Sequence, residues 1–88
     1  MATIEKKILK ESFEAISSGK KRYEIRLNDF EVREGDTLFL REWDPDKKEY
    51  TGRSIEKKVL YVGKIDLEKY FWPKEEIEEK GLQVISIE

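Results

Sequence analysis

Residues 18–27 read Ser18-Gly19-Lys20-Lys21-Arg22-Tyr23-Glu24-Ile25-Arg26-Leu27, and the fold expected of the whole chain turns on them. A glycine suited to ending a helix is followed at once by strict alternation. Tyr23, Ile25 and Leu27 fall on one side of an extended chain, and Arg22, Glu24 and Arg26 on the other. On a pleated strand those three charged side chains stand about 7 Å apart. A carboxylate held between two guanidinium groups makes a row able to recognise a polar, planar or phosphorylated ligand. The same row also suits the wet face of a barrel strand with cross-strand ion pairs, so alternation alone leaves both readings open.

Upstream, residues 11–18 suit a short helix that buries Phe13 and Ile16 and stops at Gly19. Residues 3–9, TIEKKIL, fit either a helix with Ile4 and Ile8 at i, i+4 or a strand placing Ile4, Lys6 and Ile8 on one face. Downstream, Asn28-Asp29 and Glu34-Gly35-Asp36 mark turns, with Phe30 and Val32 alternating with charges between them. Residues 37–43, TLFLREW, predict a strand, 44–52 a long hairpin loop, and 53–63 a returning strand in which Ile55, Val59, Tyr61 and Gly63 alternate. Residues 66–71 predict a helical turn, 73–81 a short helix opened by Pro73 and closed by Gly81, and 82–88 a last strand burying Leu82, Val84 and Ile85 or Ile87. The expected fold is α+β and mostly β, a single domain over residues 1–88. Its architecture is a small, mostly antiparallel β-barrel of about five to six strands with two or three short helices.

The chain has 88 residues, 43% of them charged, and neither histidine nor cysteine. Zero cysteine excludes disulfides, zinc fingers, iron–sulfur clusters and thiol nucleophiles; zero histidine excludes the commonest general base and metal ligand. No apolar run approaches the roughly 18 residues of a membrane span, and MATIEKKILK lacks a signal-peptide core, so the expectation is a cytoplasmic monomer away from membranes. Asp44, Asp46 and Glu49 make no complete calcium loop, because Pro45 interrupts them. No metal and no cofactor are assigned. Net charge is −2, but unevenly spread: residues 1–64 carry 15 basic against 13 acidic side chains, and 65–88 carry 3 against 7.

The spacing Gly19-x-Lys21-x-x-Glu24-x-Arg26 resembles the G-x-K-x-x-E-x-R signature of ASCH domains in the PUA-like superfamily. The resemblance runs from about Ile4 to Ile87. It includes Gly35-Asp36, Leu40-Arg41-Glu42-Trp43-Asp44 and Tyr50-Thr51-Gly52-Arg53, and is nearest to a small bacterial and phage ASCH-related family of unknown function. It implies a β-barrel with a cleft between helix and barrel, lined by the signature residues and binding RNA or nucleotides. Some relatives are small amidohydrolases acting on N-acylated cytidine through Lys, Thr and Glu. This chain keeps the lysine as Lys21 but has Glu24 where those enzymes carry the threonine.

The candidate ligand-binding residues are therefore Gly19, Lys21, Glu24 and Arg26, with Arg41, Trp43 and Arg53 on neighbouring predicted strands. Arg26 suits a planar or phosphate group, because a guanidinium binds bidentately. Trp43 and Tyr50 flank the predicted loop, where a base could stack on them or Trp43 could cap the barrel. For the amidohydrolase alternative the candidate catalytic residues are Lys21 as amine and Glu24 or Glu42 as its acid/base partner. A third reading is a protein-interaction module using the acidic segment 74–79. The expected partner is RNA, a nucleotide or a nucleoside.

Overall fold

A computed structural model of the chain describes residues 1–85. Its elements, in chain order, are β1 (Thr3–Leu9), α1 (Lys10–Ser17), β2 (Thr37–Asp44), β3 (Glu49–Lys58), a 3-10 turn (Leu67–Lys69) and α2 (Lys74–Lys80). The strands form one open sheet in the order β1-β2-β3, β1 parallel and β3 antiparallel to the central β2.

TIEKKIL takes the strand option. Ile8 is buried, Ile4 and Lys6 are half-buried, and Thr3, Glu5, Lys7 and Leu9 are exposed. Lys6 tolerates the inward face because its ammonium lies 3.7 Å from the centroid of the Phe30 ring. The chain turns directly into α1, whose Phe13 and Ile16, spaced i, i+3, close over the sheet. With Ile8 and Leu40 they form the core, and Leu38 and Ile55 pack against it half-buried. Gly19 ends the helix at φ +82°. Its N–H bonds to the Ile16 carbonyl at 3.1 Å, and Lys21 N–H to the Ala15 carbonyl at 2.9 Å, which satisfies carbonyls that the last turn would otherwise leave bare.

The hairpin between β2 and β3 is shorter than the expected loop over 44–52. Asp44 Oδ1 accepts the backbone N–H of Asp46 at 2.9 Å and of Lys47 at 3.1 Å, and Lys48 adopts φ +54°. That Asx geometry closes the turn early, so Glu49 already pairs with Asp44. β3 then bulges: Trp43 pairs with Tyr50 and Arg41 with Ser54, leaving residues 51–53 opposite Glu42 alone. Gly52, at φ +96°, supplies the backbone conformation the bulge requires.

Four expectations are corrected. The architecture is an open three-stranded sheet among the described residues, not a barrel of five to six strands. Residues 21–27 form no strand despite their alternation, and Ile25 and Leu27 are exposed. The groups a ladder would use are already engaged: Lys21 N–H bonds back to α1 at 2.9 Å, and the Arg26 guanidinium takes the Lys7 carbonyl on the β1 edge at 2.8 Å. The strand expected over 53–63 ends at Lys58. Val59 is buried and its backbone N–H and C=O pair with Asp36 and Gly35, both at 2.8 Å, but the chain then leaves the sheet. Residues 82–85 are likewise outside any strand, with Leu82, Val84 and Ile85 exposed; Ile87 lies outside the described residues. The expected turn over 66–71 and helix over 73–81 form as a 3-10 turn and α2, the latter opened by Pro73 and closed by Gly81 at φ +69°.

Asp36 ties the N-terminus to this frame. Its carboxylate accepts the Ala2 N–H and the Arg33 N–H, both at 2.9 Å. Those two bonds, Ala2 first, hold its carboxyl below the usual range.

Candidate functional site

The reversal at Gly19 carries residues 21–26 back past α1 and along the free edge of β1. Lys21 Nζ there donates to Ser12 Oγ at 3.1 Å and lies 3.5 Å from Glu24 Oε1. Arg26 Nε donates to Glu24 Oε2 at 2.8 Å, and its Nη2 donates to the Lys7 carbonyl at 2.8 Å. Glu24 is thus fixed between two cations, as the alternation suggested, but Lys21 takes the place expected of Arg22, which is exposed. Lys7, Ile8, Leu9, Ser12, Lys21, Glu24, Ile25 and Arg26 line a cleft of about 230 Å³. Two cationic side chains, Lys21 and Arg26, face one carboxylate, so the cleft is locally positive on a chain of net −2.

The seven candidate residues do not converge. Lys21, Glu24 and Arg26 line this cleft, whereas Gly19 only makes the turn leading into it; Arg41, Trp43 and Arg53 do not line it. Arg41 and Trp43 lie on the opposite, open face of the sheet. Arg41 bonds Glu5 Oε2 at 3.1 Å and stacks on Tyr50, its Cζ 3.7 Å from the ring centroid. Trp43 meets Tyr50 edge-on at 5.0 Å and carries the Lys7 ammonium 3.8 Å from its ring centroid. The alternation of β2 forces this split, because side chains at 41 and 43 face away from those at 40 and 42.

Arg53 belongs to a structural knot. Glu42, 3% exposed, accepts Thr51 Oγ at 2.6 Å and Arg53 Nε at 2.9 Å, and also Arg53 Nη2. The same guanidinium lies 3.6 Å from Glu14 Oε1 and against the Phe13 ring, so it clamps α1 to the sheet. The Arg53 and Thr51 hydrogen bonds hold the Glu42 carboxyl at about 2, outweighing the effect of burial, and raise the guanidinium in turn. Glu42 is therefore committed to Arg53 and Thr51, which removes it as partner for Lys21.

Ser12 is the site residue that the sequence reading missed. It flanks the Phe13–Ile16 stripe by one residue, and only the reversal at Gly19 brings Lys21 to it. Glu75, Glu76, Glu78 and Glu79 of the acidic segment 74–79 are exposed on α2, with Lys80–Glu76 at 3.4 Å and Lys74–Glu78 at 3.8 Å as its intrahelical pairs. No group of three or more metal-ligating side chains occurs among the described residues, and no helix there is long and apolar enough to cross a membrane.

No curated protein and no solved structure matches the chain. Residues 3–71, which hold the sheet, α1 and every residue of the cleft, match the model of a domain of unknown function. The chain belongs to the DUF3850 family.

Proposed function

We propose that the domain binds a nucleotide or a short stretch of RNA in the cleft between α1 and the β1 edge. The observation that carries this reading is the gathering of Lys21 and Arg26 around the single carboxylate of Glu24 in one recess. Arg26 and Lys21 supply donors for phosphate or a base edge, Glu24 supplies an acceptor, and Ile25 and Leu9 supply an apolar wall. The resemblance of G-x-K-x-x-E-x-R to ASCH domains points the same way. A recess of about 230 Å³ is smaller than the roughly 300–1,000 Å³ of a drug-sized pocket, so it suits one base or one ribose-phosphate unit. With so few cations, binding falls only gently with salt.

NMR titration of the full chain with nucleoside monophosphates and short RNAs tests this. The amides of residues 19–26 shift, and Arg26→Ala weakens binding roughly 10–100-fold, the worth of a charge-assisted contact. Unmoved amides across that segment with every probe sink the proposal.

The 3.1 Å contact between Ser12 Oγ and Lys21 Nζ favours one second reading, an amidohydrolase in which Ser12 restores the hydroxyl that Glu24 displaces. Here purified protein hydrolyses N-acetylcytidine, and both Ser12→Ala and Lys21→Ala abolish turnover. Turnover no faster than a blank, or unchanged in either variant, removes it.

A further inference from the structure

For its mass the chain exposes an excess of surface. Folded monomers of 10.5 kDa have an accessible area of about 5,400 Å², whereas this one has 7776 Å². The radius of gyration agrees, at 14.9 Å against about 12 Å for a compact chain of this length. The surplus is about 2,300 Å², and much apolar surface lies after β3. Leu60 and Tyr61 are each 79% exposed and Phe71 is 96% exposed, with Ile65, Tyr70 and Trp72 also in water. The Tyr70 and Trp72 rings stack at 5.4 Å and 12°, covering one face of each ring and leaving the others open. Compact monomers rarely leave apolar patches larger than a few hundred Å² uncovered.

The charges of the same segment say what kind of partner fits. Residues 60–72 hold Lys64 and Lys69 against Asp66 and Glu68. Lys69 lies 3.9 Å from Asp66, and Lys64 donates to Asn28 at 2.8 Å. This neutral band offers nothing to select a polyanion, an anionic membrane or a basic peptide. It meets its own copy without like-charge repulsion, which a two-fold interface requires because the same patch faces itself. A standard interface removes about 800 Å² from each partner, well within the surplus.

We infer that residues 60–72 form an isologous interface with a second copy of this chain, centred on Tyr61, Phe71 and the Tyr70–Trp72 pair. The binding cleft shares no residue with this band, so the inference is independent of the proposed function.

Light scattering on eluting full-length protein, from about 1 to about 200 µM, measures the association directly. The wild type runs at twice the 10.5 kDa chain mass at the upper end. The double variant Tyr61→Glu, Phe71→Glu runs at the single-chain mass with unchanged far-UV circular dichroism, since both side chains are exposed in one protomer. A wild type that stays monomeric throughout overturns the inference, as does a double variant that still dimerises. Loss of the circular dichroism signal in the double variant also overturns it, because Tyr61 and Phe71 would then belong to the chain's own core.

Discussion

Leu40→Ala is expected to cost the domain about 2–5 kcal/mol of unfolding free energy, the range for deleting a buried leucine side chain. Leu40 is 1% exposed, the most buried side chain of the core. In register it lies between Lys6 of β1 and Ile55 of β3, and its side chain joins Ile8, Phe13 and Ile16 in one cluster. Truncating it opens a void where the central strand meets α1, and little else can move in to fill it. A chain of this length has about 4–13 kcal/mol in total, and with so few buried apolar side chains the lower part of that range applies. The melting temperature should fall by roughly 10–30 °C. Leu9→Ala is the matched control: one residue beyond Ile8 but on the open face and 55% exposed, it should change stability by less than about 0.5 kcal/mol. Thermal unfolding followed by circular dichroism separates the two, and equal losses would mean that the helix is not seated on the face described.

What the sequence made legible was local, and what it concealed depended on pairing. Phe13 and Ile16 on a helix ended by Gly19, the 3-10 turn and α2 follow from neighbours within a few residues and appear where periodicity and capping place them. Residues 3–9 fitted helix and strand equally by pattern, and pairing with β2 decides for the strand, with Ile4, Lys6 and Ile8 inward. Residues 21–27 alternate as cleanly as any strand in the chain, yet a strand needs a ladder partner as well as a pattern. The Lys7 carbonyl on the adjacent edge is taken by the Arg26 side chain. That competition removes one of the expected strands, and residues 82–85, outside any strand, remove another, so the barrel does not close. The site divides in the same way. Glu24 beside Arg26 is a contact two residues long and could be read directly. The separation of Arg41 and Trp43 from the cleft depends on which face of β2 is inward, and one residue of slip reverses every such assignment. Arg53 was sought as a ligand contact because its charge is visible in the sequence and its partner is not. Glu42 lies 11 positions away across a bulge that only the conformation of Gly52 announces.

That partnership sets the second large effect, the response to acid. Glu42 titrates near 4.5 when unfolded and at about 2 in the fold, depressed by the Arg53 and Thr51 hydrogen bonds. A group whose folded value is depressed contributes its full stabilisation above the unfolded value and loses it as pH falls toward the folded one. The knot therefore holds α1 to the sheet undiminished from neutrality down to about pH 4.5, then weakens steadily toward pH 2. Asp36, lowered by the Ala2 and Arg33 amides, adds loss in the same direction. Glu42→Gln removes the titrating group while keeping an oxygen for Thr51 and Arg53. At neutral pH the variant should melt lower than wild type, because the half-exposed Arg53 keeps only Glu14 as a charged partner. Below about pH 4.5 the two melting curves should converge, leaving in the variant a shallower slope owed to Asp36 and other carboxylates. Melting temperatures at intervals from pH 7 to pH 2 measure this, and parallel profiles for the two proteins would show that Glu42 carries no charge-dependent share of the clamp.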